Sequence, residues 1–134
     1  MSCNVFINFN GNCRDVLEFY SKVFRLPAPD IMTYGSNPGG ASPEDADRVL
    51  YAMLPIAGSR MMFSDCPSGF EHVTGNNVIV SLGFDCPQEI ERIFAELSVG
   101  GAVQMLPDKT FFSELFCMFT DKFGITWQLS KIQL

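Results

Sequence analysis

The chain of 134 residues carries 15 acidic and nine basic side chains, a net charge of −6, and 47% of its residues are hydrophobic. This length suffices for one globular domain with a real core, and the acidic balance disfavours nucleic acid, whose phosphates are bound by Lys and Arg. No apolar run approaches the roughly 18 residues of a membrane span, and the N-terminus lacks the basic and cleavage regions of a signal peptide, so we expect a cytoplasmic protein that does not bind membranes.

The first half of the chain predicts a strand, a helix and three further strands. The first strand, V-F-I-N-F, begins at Val5, and the helix is predicted over Cys13 to Arg25. Asp30 to Tyr34 predicts a short strand, and the loop at residues 35–47 is too rich in Gly, Pro and Ser for regular structure. Two more strands complete this half: Arg48 to Ile56 and Ser59 to Asp65.

The second half repeats this order at an offset of 73 residues, which places Val78 on Val5. Its helix is predicted over Pro87 to Ser98, followed by three strands: Ala102 to Leu106, Glu114 to Thr120 and Ile125 to Ile132. Both helices carry an apolar stripe with the i, i+3, i+7 spacing of one buried face. The matching residues are Leu17, Tyr20 and Phe24 in the first helix, and Ile90, Ile93 and Leu97 in the second.

The repeat predicts an α+β fold of two tandem βαβββ modules, with the helices on the outer faces of curved mixed sheets. No linker separates the halves, so we expect a single domain over residues 1–134, with module one at about 1–66 and module two at about 76–134. Asn12 and Asp85 precede the two helices, where their side chains are expected to cap free backbone N–H groups.

Groups suited to catalysis are few. The five cysteines form no C-x-x-C pair, which favours free thiols, and a catalytic thiolate needs a nearby base. The only histidine, His72, lies in a polar loop, and Asp65 and Asp121 occupy turn or capping positions. Either carboxylate becomes a candidate general base if it is buried beside a pocket.

Several segments together resemble the PhnB-like group of the vicinal-oxygen-chelate superfamily, which includes glyoxalase I, bleomycin-resistance proteins and extradiol dioxygenases. They include F-N-G-N-C at Phe9, L-E-F-Y-S-K-V-F at Leu17, A-D-R-V-L-Y-A-M-L at Ala46, M-M-F-S-D at Met61 and F-T-D-K-F-G-I-T-W at Phe119. The likeness covers nearly the whole chain. One departure is Phe112-Ser113, where the group usually has Trp-Gly. The methyltransferase name often given to this group gains no support, since no G-x-G turn joins a strand to a helix.

The resemblance also implies where a metal would bind. In the metal enzymes of the superfamily, His and Glu side chains from the first and last strands of both modules converge on a divalent ion. The corresponding residues here are Val5, Val78 or Ile79, Met62 and Gln128, and none is a competent ligand. We therefore expect no metal and no other cofactor.

Three functions compete. The first is a metal-free protein that binds a small, partly apolar molecule in a sheet cleft, as in the bleomycin-resistance branch. The second is a metal-free enzyme of unknown reaction that uses Asp65, Asp121, His72 or a cysteine. The third is a metalloenzyme of the glyoxalase or dioxygenase type, which is disfavoured because the residues at the metal-ligand positions are not competent ligands. The pocket candidates are Tyr51, Met53, Met62, Phe112, Thr126 and Gln128.

Two further expectations concern the last strand and assembly. Thr126, Gln128 and Ser130 alternate with Trp127 and Leu129, so the polar set is expected to face a cavity while the apolar pair packs beneath, against a helix. Exposed sheet edges in such modules favour pairing between chains, so we expect a homodimer.

Overall fold

A computed structural model describes residues 1–132 of the chain, so the last two residues of the predicted second module lie outside the described residues. The chain divides into two compact units, Met1–Val73 and the residues from Thr74 onward. Each unit contains one helix and four strands in the order βαβββ, which confirms the predicted module order.

The first unit contains strand β1 (Val5–Phe9), helix α1 (Cys13–Val23), and strands β2 (Met32–Thr33), β3 (Val49–Ile56) and β4 (Ser59–Asp65). The sheet order is β1-β4-β3-β2, with β1 and β4 parallel and the other pairs antiparallel. The predicted strand at Asp30 to Tyr34 is reduced to two residues, because the backbone turns into a 3₁₀ helix over Tyr34–Ser36.

The second unit contains strand β5 (Ile79–Phe84), helix α2 (Pro87–Leu97), and strands β6 (Ala102–Asp108), β7 (Phe116–Thr120) and β8 (Thr126–Lys131). Its sheet order, β5-β8-β7-β6, repeats that of the first unit, again with the first and last strands parallel. Strand β6 is two residues longer than predicted and includes Pro107, which an edge strand tolerates because one side of its backbone needs no partner.

Each helix covers one face of its sheet with the predicted stripe. Ile90, Ile93 and Leu97 of α2 are buried, as are Leu17 and Tyr20 of α1, whereas Phe24 at the end of α1 is half-buried. The Tyr20 ring meets the Phe63 ring edge-on, at 5.8 Å between centroids. Burying such rings supplies most of the stabilisation of a small core.

The predicted helix caps are wrong. Neither Asn12 nor the residue that caps α2, Cys86, makes a side-chain capping hydrogen bond. At α1 a carboxylate from the end of β4 takes over this role: Asp65 Oδ1 accepts hydrogen bonds from the backbone N–H groups of Gly11, at 2.8 Å, and Cys13, at 3.0 Å. A distant side chain thus satisfies donors that a local cap was expected to satisfy.

Candidate functional site

The face of the first sheet opposite α1 carries the candidate site. Along β3, Ala52 and Leu54 are buried toward the helix, while Tyr51 and Met53 alternate with them and are half-buried on the other face. Met53 lies opposite Met62 of β4, so these three predicted pocket residues share one face. We refer to this surface as the open face of the first sheet.

A cleft of about 600 Å³ lies on this open face, entirely within the first unit. Its apolar lining is Ile31, Met32 and Met53, and its polar lining is Asp30, Ser36, Tyr51 and Arg60. This volume lies within the range of small-molecule sites, which combine an apolar wall with a few polar groups.

Tyr51 connects the polar and apolar parts of the cleft. Its hydroxyl accepts a hydrogen bond from the Arg60 guanidinium at 3.3 Å. Its ring lies 6.5 Å from the ring of Phe6 on the neighbouring edge of the sheet, and Met32 pairs with Tyr51 across β2 and β3. The Tyr51 ring and the thioethers of Met32 and Met53 therefore line the same cleft as the Arg60 guanidinium.

The loop at residues 35–47 adjoins the cleft through Ser36. Its base is closed by backbone hydrogen bonds from Tyr34 N–H to the Arg48 carbonyl and from Gly35 N–H to the Ala46 carbonyl, each 3.0 Å long. The Tyr34 hydroxyl donates to the Asp65 carbonyl at 2.7 Å, and burial raises its pKa. The loop is thus tied at both ends to the body of the first unit.

Arg48 and Asp45 further stabilise the two ends of the loop at residues 35–47. Arg48 donates to the Cys66 carbonyl at 2.7 Å and forms an ion pair with Asp45 at 3.6 Å. Hydrogen bonds from Ser68, together with the Arg48 charge, lower the pKa of the Asp45 carboxyl. Gly11 adopts a positive φ of 91°, which favours glycine, and a Cβ there would approach the Arg48 guanidinium to 3.3 Å.

The predicted residues of the last strand lie on the corresponding face of the second sheet. Trp127 and Leu129 are fully buried, and Thr126, Gln128 and Ser130 alternate with them and are partly exposed, as the sequence pattern predicts. Gln128 donates from Nε2 to Ser81 Oγ at 2.8 Å, and the hydroxyls of Thr126 and Thr120 lie 2.9 Å apart. None of these residues lines the cleft described above.

Phe112, another predicted pocket residue, lies before β7 and is 53% exposed. Its ring meets Phe111 and Phe116 edge-on, at centroid distances of 5.2 and 5.1 Å. The adjoining Ser113 is buried and donates from its hydroxyl to the Leu115 carbonyl at 2.9 Å. Phe112-Ser113 therefore forms an ordered turn with an aromatic cluster, outside the cleft.

The two candidate catalytic carboxylates are occupied by structural hydrogen bonds. Asp65 is 1% exposed and accepts a third backbone bond, from Val49 N–H to Oδ2 at 2.9 Å. Asp121 is 3% exposed and accepts from the backbone of Phe123 and Ile125, and from Trp127 Nε1 at 2.9 Å. These bonds occupy most of the lone pairs that a general base would use.

His72 and the two buried cysteines are likewise engaged or unreactive. Nε2 of His72 lies 2.9 Å from the Asn8 carbonyl oxygen. Burial raises the pKa of the Cys13 thiol to about 12 and that of the Cys117 thiol to about 11, so neither forms a thiolate near neutral pH. No residue singled out for catalysis lies in the cleft.

The strand register shows which residues lie beside the predicted metal positions. Phe6 lies opposite Met62, and Ser81 lies opposite Gln128. Neither Phe6 nor Ser81 is a His or carboxylate ligand for a divalent ion. Within residues 1–132, no three His, Cys, Asp or Glu side chains are grouped so as to hold a metal.

Neither helix of the described chain has the length and apolar character needed to cross a membrane.

Comparison with known proteins identifies the family. The family model described as 3-demethylubiquinone-9 3-methyltransferase matches residues 2–130. The chain belongs to this family. The structure of PA1353 from Pseudomonas aeruginosa is 30% identical, with a TM-score of 0.87 and coverage of 100% of this chain and 99% of that one. Protein YjdN of Escherichia coli K12 is 27% identical over 99% of this chain and 97% of its own length.

More distant structures show the fold. The PhnB protein of Bacillus cereus is 24% identical with a TM-score of 0.75, covering 98% of this chain and all of that one. A glyoxalase/bleomycin-resistance/dioxygenase family enzyme from Burkholderia phytofirmans is 13% identical with a TM-score of 0.65, and 97% of each chain is covered. The chain thus has the glyoxalase/bleomycin-resistance fold that the sequence motifs predicted.

The structure brings together two of the six predicted pocket residues, Tyr51 and Met53, and places Met62 beside them. Sequence reasoning missed Asp30, Ile31, Met32, Ser36 and Arg60. The sheet face of Arg60 was predictable, because Arg60 and Met62 are two residues apart in the strand S-R-M-M-F and therefore point to the same face. The others come from the irregular segment around β2, for which periodicity gives no orientation.

Proposed function

We propose that this protein binds a small, partly apolar molecule in the cleft on the open face of the first sheet, without a bound metal. The observation that carries the proposal is the cleft itself, in which an apolar wall of Ile31, Met32 and Met53 adjoins the Tyr51 hydroxyl and the Arg60 guanidinium. Such a wall with a few polar groups is typical of small-molecule sites.

Binding is favoured over catalysis because the groups suited to acid–base or nucleophilic chemistry are engaged elsewhere. Asp65 and Asp121 accept several structural hydrogen bonds each, and the most deeply buried thiols have raised pKa values. The methyltransferase description of the family model does not by itself supply a reaction, and the chain has no G-x-G turn suited to a nucleotide-like cofactor.

The binding proposal is tested with 1-naphthamide, a neutral aromatic probe, and NMR of protein labelled at its methionine methyl groups. Seven methionines report from distinct positions. Saturable shifts are expected at Met32 and Met53, which line the cleft, and not at Met61, which is buried on the opposite face of the sheet, or Met118 of the second sheet.

A matched pair of variants locates the site. Met53→Gln keeps the side-chain length but adds polar atoms to the cleft, and is expected to weaken probe binding by about fivefold, the effect of roughly 1 kcal/mol. Met105→Gln on β6 is the control and should leave binding unchanged. Shifts confined to Met105 and Met118, or no saturable shift at any methyl, would contradict the proposal.

We also propose that the protein is a homodimer. In the described part of the chain, edge strand β1 exposes 48% of Phe6, and edge strand β6 exposes 45% of Val103 and 66% of Leu106. Apolar side chains on open edges favour pairing between chains. Sedimentation at micromolar concentration should show twice the 14.9 kDa chain mass, and a single 14.9 kDa species would refute it.

A further inference from the structure

The Arg60 side chain extends along the open face of the first sheet to reach the cleft. It lies opposite Pro55 on β3, and Tyr51 is four residues farther along that strand, about 13 Å at the usual rise per residue. The guanidinium nevertheless reaches the Tyr51 hydroxyl at 3.3 Å. Both long side chains therefore extend toward each other along the sheet, past the intervening Met53, and meet in a solvent-exposed hydrogen bond.

The partner of Arg60 is the neutral Tyr51 hydroxyl, in contrast to the carboxylate partners of Arg48 and Arg92. Arg48 is ion-paired with Asp45, and Arg92 with Glu89 and Glu96. Within residues 1–132, the Arg60 guanidinium has the Tyr51 hydroxyl as its hydrogen-bond partner and no carboxylate within ion-pairing distance. A guanidinium stays charged and presents five N–H donors, so most of them remain available to a ligand in the cleft.

The other residues that line the cleft indicate the shape of the uncharged part of the ligand. Met32 pairs with Tyr51 across β2 and β3, and Met53 pairs with Met62 across β3 and β4, so thioethers flank the Tyr51 ring. Polarizable sulfur and aromatic faces favour a flat ring over a branched aliphatic group. Asp30 also lines the cleft and reduces its attraction for anions without removing the Arg60 donors.

Building on the proposed function, we propose that the ligand is a flat aromatic molecule bearing one anionic group, carboxylate or phosphate, which Arg60 binds while the ring lies on the Met32, Tyr51 and Met53 wall.

The test compares 1-naphthoate with 1-naphthamide, which have the same ring and nearly the same shape but differ in charge. Binding is followed at the Met32 and Met53 methyl signals. Arg60→Gln is expected to weaken naphthoate binding about tenfold, the effect of losing one charge-assisted contact, and to change naphthamide binding by less than about twofold. Asp30→Asn should strengthen naphthoate binding about two- to threefold, because it removes a repelling charge.

Arg25→Gln is the matched control, because Arg25 follows α1 on the opposite side of the sheet and does not line the cleft. It should alter neither probe. If Arg60→Gln and Arg25→Gln weaken naphthoate equally, general charge attraction explains the result and the inference is overturned. A third probe, 1-naphthyl phosphate, distinguishes the two anions: tighter Arg60-dependent binding than naphthoate assigns phosphate, and weaker binding assigns carboxylate.

The two proposals fail in different ways. Equal naphthoate and naphthamide affinities at Met32 and Met53, unaffected by Arg60→Gln, would overturn the anionic ligand while leaving the binding cleft intact. Absence of saturable shifts at these methyl groups with all three probes would overturn both.

Discussion

Replacing Asp65 by alanine should be among the most destabilising single changes in the first unit. Its carboxylate accepts backbone hydrogen bonds of 2.8, 3.0 and 2.9 Å from Gly11, Cys13 and Val49. The side chain thereby joins the end of β4 to the N-terminus of α1 and the start of β3. Removing it leaves three N–H groups without an acceptor at a site that is 1% exposed.

The magnitude follows from how deeply these donors are buried. The bonds to Cys13 and Val49 are buried, and that to Gly11 is partly buried, so water replaces only the last. A buried donor left without a partner costs about 1–3 kcal/mol, and the carboxylate also interacts favourably with the N-terminus of α1. We expect Asp65→Ala to lower the free energy of unfolding by about 3–4 kcal/mol.

Urea unfolding followed by circular dichroism measures this loss, provided that the slope against urea is unchanged. Asp65→Asn keeps one carbonyl oxygen but presents an amide to one of the donors, and should cost less than Asp65→Ala. The control is Asp15→Asn, an exposed carboxylate in the first turn of the same helix, which should cost at most about 1 kcal/mol. An Asp65→Ala loss no larger than that of Asp15→Asn would refute the reasoning.

Three further predictions concern the second unit, the metal and the thiols. Trp127→Ala should cost about 3–5 kcal/mol and Trp127→Phe about 1–2 kcal/mol, because the phenyl ring occupies most of the site but loses the indole bond to Asp121. Equal losses in urea unfolding would contradict this. Elemental analysis of the purified protein, and of Gln128→Glu, should find no stoichiometric divalent metal after mild chelation, and one retained ion per subunit would contradict it. Burial raises the pKa of Cys13 and Cys117 above the ordinary value of 9.0, so the folded state holds these protons more tightly than the unfolded state and stability should fall as pH rises above about 9. Cys13→Ala should reduce that slope, measured as the urea midpoint against pH, and an unchanged slope would refute the assignment.

The sequence predicted the fold because local and global signals agree along most of the chain. The apolar stripes of both helices and the alternation around Trp127 each specify a buried face without reference to the rest of the molecule. The stripe fails only at Phe24, where the helix has already ended. At the helix N-termini the local signal misled, because Asp65, 52 residues from Cys13 in the sequence, supplies the acceptor.

The candidate site was less predictable for a physical reason. Three of its lining residues, Asp30, Ile31 and Met32, lie at or just before a two-residue strand whose register with β3 shifts, and side-chain direction there depends on tertiary contacts. Arg60 could be assigned a face but not a direction along it, because a long flexible side chain extends where its partner lies. Only the position of Tyr51 shows that the guanidinium enters the cleft.

The strand register gives the Gln128 amide a structural partner, Ser81. In the offset repeat Asn8 corresponds to Ser81, and these residues lie opposite Ser64 and Gln128 on the adjacent parallel strands. Both pairs are hydrogen-bonded, Ser64 to Asn8 and Gln128 to Ser81. In strand pairing, Gln128 therefore corresponds to Ser64. Each module thus joins its first and last strands through one neutral polar pair, at the strands that carry the metal ligands in related enzymes. A carboxylate at position 128 could bond Ser81 only by accepting from its hydroxyl, whereas the Gln128 amide donates to Ser81 and keeps this cross-strand pair neutral.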